Sequence, residues 1–283
     1  MRKELNVKSE RPQLWLDTEV TFAQVPGWCG HLTMDLKMSI IRHHERDRTP
    51  HPCIVWLCGG GWLEMDRHAH LADFAELARA GFVIASAEYR TSNYVPFPAQ
   101  LEDVKAAIRY LRANAARYAI DPDRIGIMGE SAGGHLAALA GVTGGTREFD
   151  KGLYLEESSA VQAVCDWYGP TDLGKMIDAA REMDGPQPEA IVLGGKMDDA
   201  EFLKKMNPIS WVGEDTPPFL ILHGKEDSVV PFEHSEWLYD ALTRAGRPVE
   251  FYALEGADHA DLHFFQKEIE DIICGFFKKC LGA

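Results

Sequence analysis

The pentapeptide Gly129-Glu130-Ser131-Ala132-Gly133 has the residue types and spacing to do chemistry. A serine between two glycines, after an apolar run and before a helix-forming stretch, fits a sharp strand-to-helix turn. The glycines let strand and helix approach, and a hydroxyl at a helix start sits where developing negative charge is favoured. A serine hydroxyl is a weak nucleophile at neutral pH. It needs a base within hydrogen-bond reach and a third group to orient that base. His259, in Glu255-Gly-Ala-Asp-His259, and Asp227, in Leu222-His-Gly-Lys-Glu-Asp227, each lie just beyond an apolar run. Asp258 and Glu226 are the nearest competitors for the acid, and a turn presenting Asp227 would point both elsewhere. His223 is expected to tie that turn, and His135 to pack or hydrogen-bond behind the serine.

Attack by Ser131 on an acyl carbonyl produces a tetrahedral oxyanion, which needs backbone N–H donors. Cys58-Gly59-Gly60-Gly61-Trp62 offers a segment that can approach a substrate without Cβ clashes. The donors expected are the N–H groups of Gly60, Gly61 and Ala132. Trp62 and Trp211 are the candidate substrate-binding side chains.

These groups must be positioned by a scaffold, and the apolar pattern supplies one. Short continuous runs occur at Cys53–Cys58, Phe82–Ala87, Arg124–Met128, Val161–Trp167, Phe219–Leu222 and Val249–Leu254. Helical spacing lies between them at Leu71–Ala80, Leu101–Tyr118 and from the serine turn through Ala140. Buried strands alternating with helices predict an α/β domain, a mostly parallel central sheet with helices on both faces. Two further strands, Thr18–Phe22 and Leu32–Ile41, precede it. In such sheets ligands bind beyond the carboxyl ends of the strands. Gly59–Trp62, Gly129–Gly133, His223–Pro231 and Gly256–His259 are therefore expected to face one cleft. Residues 169–218 interrupt the rhythm and are expected to form a cap-like insertion within a single domain spanning 1–283.

The chain has 283 residues, with 44 acidic against 29 basic side chains and a net charge of −15. That surface disfavours nucleic acid and anionic lipid and leaves a small-molecule or oligosaccharide ester as the expected partner. No segment reads as a signal peptide or a membrane span, which predicts a cytoplasmic protein. Cys29, Cys53, Cys58, Cys165, Cys274 and Cys280 lack metal or redox spacing and are expected to be reduced and buried. His68 and His70, or His43, His44 and His51, lack a further ligand at metal spacing. No glycine-rich nucleotide motif follows a strand. Neither a metal nor a cofactor is expected.

Taken together, Gly59-Gly60-Gly61-Trp62, Glu88-Tyr89-Arg90, Gly129-Glu-Ser-Ala-Gly-Gly-His135, Tyr168-Gly-Pro-Thr-Asp172 and Gly224-Lys-Glu-Asp-Ser-Val-Val-Pro231 resemble the α/β-hydrolase superfamily. Within it the chain is similar to the BD-FAE-like esterases, close to the hormone-sensitive-lipase-type group. The resemblance implies a carboxylic-ester hydrolase acting through an acyl-enzyme on acetyl or feruloyl esters of plant-type carbohydrates. It carries Ser131, Asp227 and His259 over as the triad, and Gly60, Gly61 and Ala132 as the oxyanion hole. The family usually has His where this chain has Cys58, which puts loop rigidity and substrate preference in question. An amidase or acylarylamine hydrolase of the same fold, or a non-catalytic binding protein, would be the alternatives.

Overall fold

The computed structural model describes residues 1–27, 30–44, 49–180, 192, 194–196 and 198–282. Eight strands make one sheet: β1 (Leu14–Pro26), β2 (Thr33–His43), β3 (His51–Leu57), β4 (Val83–Ala87), β5 (Ile120–Glu130), β6 (Ala163–Trp167), β7 (Phe219–Gly224) and β8 (Val249–Leu254). Their order is β1-β2-β4-β3-β5-β6-β7-β8. β1 and β2 pair antiparallel, as do β2 and β4, and every pairing from β4 to β8 is parallel. This is the mostly parallel α/β sheet that the apolar runs predict, in the α/β-hydrolase architecture that the resemblance implies.

Successive side chains in the inner strands feed two separate cores, as the twofold period of a strand requires. Cys53, Val55, Leu57, Val83, Ala85, Val164, Phe219 and Ile221 pack on one face. Ile54, Trp56, Ile84, Cys165, Trp167, Leu220 and Leu222 pack on the other. Helices α2 (Ala99–Ala113) and α4 (Ala132–Val142) bury their apolar sides on the first face. α1 (Ala75–Arg79) covers the second face.

Several elements depart from their sequence outlines. The helix expected over Leu71–Ala80 is helical only in α1. His70 has φ +62, so the chain before α1 runs in turns. The helix expected over Leu101–Tyr118 starts earlier and breaks at Asn114, with α3 (Ala115–Tyr118) following. In 169–218 the described residues hold α5 (Leu173–Ala180), α6 (Ala200–Met206) and a 3-10 turn at Pro208–Ser210, and no strand. Between β7 and β8, where a loop or a helix was open, the chain forms α7 (Glu233–Arg244), and α8 (Lys267–Leu281) follows β8 without having been expected. α8 lays Ile269, Ile273, Phe276, Phe277 and Leu281 on the second core at helical spacing.

Cys53, Cys58 and Cys165 are buried free thiols, but Cys274 and Cys280 on α8 are only half-buried against the second core. Cys29 lies outside the described residues. Among the described residues no helix is long and apolar enough to cross a membrane.

Candidate active site

β3 and β5 are neighbours with Leu57 opposite Gly129, so the glycine loop after β3 and the serine turn after β5 leave the sheet side by side. Ser131 has φ +50 and ψ −122, a conformation that costs about 1–3 kcal/mol and persists only where its surroundings enforce it. Those surroundings are tight. A Cβ on Gly129 would stand 2.3 Å from the Gly133 carbonyl oxygen, and one on Gly133 would stand 2.1 Å from that of Leu57. Only hydrogen fits at either position. The Ser131 N–H donates to the Trp167 carbonyl (2.9 Å), and His135 N–H closes the first helical turn onto Ser131 O (2.9 Å).

The turns after β7 and β8 bring the other two groups to this hydroxyl. His259 Nε2 is 3.0 Å from Ser131 Oγ, and His259 Nδ1 is 2.8 Å from Asp227 Oδ2. A carboxylate only accepts, so Nδ1 carries the proton and Nε2 is free to receive one from the serine. The Asp227 side chain is fully buried. Its Oδ1 accepts the N–H groups of Val229 (2.9 Å) and Val230 (2.8 Å), and its Oδ2 also faces His223 Nε2 at 3.2 Å. Burial pushes this carboxyl up. The donors from His223, His259 and Val229 outweigh it and hold the group well below the usual carboxylate range.

His223 ties the acid turn as expected, with Nε2 also 3.0 Å from Val230 O and Nδ1 2.7 Å from Ser235 Oγ. Asp258 does different work. Its Oδ1 accepts Ser228 N–H (2.8 Å), Ser228 hydroxyl (2.9 Å) and His259 N–H (2.7 Å), so it fastens the acid turn to the base turn. Glu226 is exposed.

On the other side of Ser131 the loop after β3 turns sharply, with φ +117 at Gly60 and φ +57 at Gly61. The Gly60 carbonyl accepts Leu63 N–H (3.0 Å) and Glu64 N–H (3.1 Å). The N–H groups of Gly60, Gly61 and Ala132 take no hydrogen bond among the described residues. Tyr89 hydroxyl holds the Cys58 carbonyl at 2.7 Å. Burial pushes the Cys58 thiol up to about 11 against a backbone hydrogen bond from Asp66, so it stays protonated, and its Sγ lies 3.4 Å from the Gly59 carbonyl.

A cavity of about 520 Å³ opens over the serine. Cys58, Gly59, Gly60, Gly61 and Trp62 form one wall. Tyr168, Pro170, Met176, Val229 and Val230 add a largely apolar lining, and Glu64, Asp66, His70 and Glu130 a polar one. Trp62 is buried, and its Nε1–H donates to His135 Nδ1 at 3.2 Å. The other ring nitrogen of His135 reaches Met206 O at 2.8 Å. Burial pushes His135 down to about 4, and the neutral ring links the glycine loop to the insertion.

Trp211, expected against substrate, is not among the cavity-lining residues. Its Nε1–H donates to Lys205 O (3.0 Å) and its ring packs edge-on against Phe149. Its position near the end of the insertion suggested a lid, whereas the chain there turns the indole onto the first core. Tyr168, Met176, Val229 and His70 line the cavity without having been singled out as site residues. Tyr168 and Val229 fall inside the motifs quoted above. His70 carries no sequence signal, because its partner Glu130 is sixty residues away.

The BD-FAE family model matches residues 38–242. The chain is 35% identical to the esterase LipQ of Mycobacterium tuberculosis over 74% of this chain and 50% of that one. It spans about half the length of the curated relatives it matches. Among solved structures, a truncated carbohydrate esterase from gut microbiota is 32% identical, with a TM-score of 0.83 and coverage of 98% of this chain and 99% of that one. The bifunctional GH43-CE protein of Bacteroides eggerthii is also 32% identical, with a TM-score of 0.82, over 93% of this chain and 38% of that one.

Proposed function

Because the chain belongs to the BD-FAE family of α/β-hydrolases, we propose that it is a serine carboxylesterase acting on short-acyl, acetyl or feruloyl, esters of plant-type carbohydrates. The observation that carries the reading is the unbroken line from Ser131 Oγ through His259 to Asp227, at 3.0 and 2.8 Å. Ser131 attacks the ester carbonyl while His259 Nε2 takes its proton. The oxyanion forms toward the N–H groups of Gly60, Gly61 and Ala132. His259 then returns the proton to the leaving alcohol, and the acyl group stays on Ser131. Water, activated by the same imidazole, attacks the acyl-enzyme and restores the serine. Asp227 keeps Nδ1 protonated and stabilises the imidazolium. No step requires a cofactor.

The substrate class is supported by the carbohydrate esterase likeness and by the cavity. Its apolar lining of Pro170, Met176, Val229 and Val230 suits an acyl group, and its polar lining residues suit a hydroxylated alcohol. Residues 1–283 read as one domain, with 169–218 as a cap that contributes Pro170 and Met176. A cytoplasmic site of action is part of the proposal, supported by the buried thiols of Cys53, Cys58 and Cys165.

The test is hydrolysis of p-nitrophenyl esters of increasing chain length beside acetylated xylo-oligosaccharides and methyl ferulate, with Ser131→Ala as control. Acetyl esters should exceed octanoyl esters in kcat/KM. Folded Ser131→Ala should lose a factor on the order of 10⁴ or more in kcat. Near-wild-type turnover by that variant would refute the mechanism, and a preference for octanoyl would refute the short-acyl assignment.

A further inference from the structure

We propose that Glu130 and His70 act as a charged clamp that positions the oxyanion loop, with His70 as a positioning residue working through Glu130. The inference rests on the esterase reading above and adds to it a pair of residues outside the triad.

Glu130 is buried at the end of β5, one residue before the serine. Its carboxylate gathers three donors from three other segments. Gly59 N–H reaches Oε1 at 3.3 Å, Tyr168 hydroxyl reaches Oε2 at 2.8 Å, and His70 Nε2 lies 3.3 Å from Oε1. Gly59 directly precedes Gly60 and Gly61, which line the cavity. Tyr168 packs edge-on against His259, with ring centres 4.6 Å apart. A single carboxylate thus fixes the serine turn, the glycine loop and the ring beside the base relative to one another.

This arrangement holds only while Glu130 is ionised. A protonated carboxyl would turn one acceptor into a donor, and Gly59 N–H, Tyr168 O–H and a ring N–H compete for acceptors. A carboxylate at this depth needs a counter-charge. His70 supplies it. The charged groups facing the imidazole are Glu130, from the end of β5, and Asp73 at 3.9 Å, from the turn before α1. The ring of Phe265 (4.5 Å) and, more distantly, Trp56 (6.0 Å) enclose its other sides. The Tyr168 hydroxyl and the Cys58 thiol lie beyond Glu130, and both stay neutral at ordinary pH because burial pushes them up.

The Glu130 contact raises His70 above the ordinary histidine value, against the effect of burial. Burial pushes Glu130 up, but His70, Tyr168 and Gly59 N–H bring it below the ordinary glutamate value. His70 also has left-handed backbone at φ +62. Five of the eight described non-glycine residues with positive φ, namely Trp62, His70, Ser131, Tyr168 and Ala260, line this one cavity. Strain of this kind persists where the surrounding structure over-determines a position.

The experiment compares wild type, His70→Gln, Glu130→Gln and the double variant, with active sites counted by the chromophore burst from a p-nitrophenyl organophosphate. Hydrolysis of p-nitrophenyl acetate is followed from pH 5.5 to 9. With His70 charged, at pH 6, His70→Gln should lower kcat per active site about tenfold with KM within about twofold, as expected for a donor used mainly in the transition state. As pH rises past the His70 titration, which the Glu130 contact moves upward, the wild type loses the charge and the ratio should shrink to about two- or threefold by pH 9. In the Glu130→Gln background the His70 substitution should cost nothing further, because its route of action is gone. A wild-type to His70→Gln ratio constant with pH would overturn the proposal in favour of simple packing. Losses that add in the double variant, or that fall on KM, would overturn it in favour of direct substrate contact. A wild type inert to both ester and organophosphate would instead refute the esterase reading, and the clamp's catalytic role with it.

Discussion

One added methyl group at Gly60 tests the oxyanion loop directly. Gly60 has φ +117, well outside the left-handed region near +57 that other residues visit. A Cβ there would stand 2.4 Å from the Glu64 carbonyl oxygen and 2.9 Å from its carbon. Both atoms are backbone, so no side chain can swing away. Conformational strain alone is about 1–3 kcal/mol, and the contact adds to it, so the loop must move in Gly60→Ala. The N–H groups of Gly60 and Gly61 move with it. Misplacing one such donor costs about 2.7–4 kcal/mol of transition-state stabilisation, a factor of about 10²–10³ in kcat. KM should change less than about threefold, because the donors act chiefly on the oxyanion. Gly152→Ala is the control. Gly152 also has positive φ (+84), but a Cβ there would meet nothing within 4 Å. It should lose stability without losing kcat. Steady-state hydrolysis of p-nitrophenyl acetate, with urea unfolding to establish that each variant is folded, decides the matter. A folded Gly60→Ala enzyme with kcat within about threefold of wild type would refute the assignment of the loop.

Asp227→Asn should retain the fold and lose roughly 10³–10⁴ in kcat by disturbing the tautomer of His259, whereas Asp258→Asn should lose far less; a side-by-side assay with the order reversed would identify the wrong acid. Cys58→Ser should stay within about tenfold of wild-type activity, and iodoacetamide at neutral pH should leave the wild type largely active, since the thiol is protonated there; inactivation by the alkylating agent with protection in the Ser variant would give the thiol a function. Asp166 is buried in β6, and burial pushes its carboxyl up to about 6. A carboxyl whose pKa is raised on folding binds protons preferentially in the folded chain, so its charge is a burden above pH 6 that disappears below about 4. The stability of Asp166→Asn relative to wild type should therefore rise by about 2 kcal/mol from pH 4 to pH 7, as read by urea unfolding, and a pH-independent difference would refute the assignment.

The inner strands were legible because burial on both faces demands continuous apolar runs, and each run from Cys53 to Leu254 became a strand of the parallel sheet. Strand ends then pointed to the cleft, since every parallel strand delivers its following loop to the same edge. That geometry accounts for Ser131, Asp227 and His259 lying together although they are spread over more than 120 residues. Helix limits were less legible. Nothing local marks Asn114 as a break, and α1 is shortened beside His70, whose left-handed backbone accompanies a side-chain contact to a partner distant in sequence. α8 has a readable apolar stripe, but a search led by strand ends passes it over. Trp211 shows the limit most plainly, because its sequence position near the end of residues 169–218 says nothing about which way a 3-10 turn aims an indole.

Two aspartates thirty-one residues apart divide between them the task of presenting one imidazole, and burial separates their roles. Asp227 has a fully buried side chain, and all four of its acceptor positions are engaged, by Val229 N–H, Val230 N–H, His223 and His259. Such a carboxylate has no freedom to rotate and no vacancy for water, so its orientation is transmitted whole to the His259 ring. Asp258 is exposed, and solvent screening leaves it little electrostatic hold on the imidazole. Its value lies in geometry. By accepting Ser228 N–H and His259 N–H on one oxygen it sets the spacing between the turns after β7 and β8. The ring can meet both Asp227 and Ser131 only if that spacing is right, because the two contacts lie on opposite ends of a rigid five-membered ring. The buried acid therefore governs which nitrogen carries the proton, and the exposed one governs how far that proton must travel.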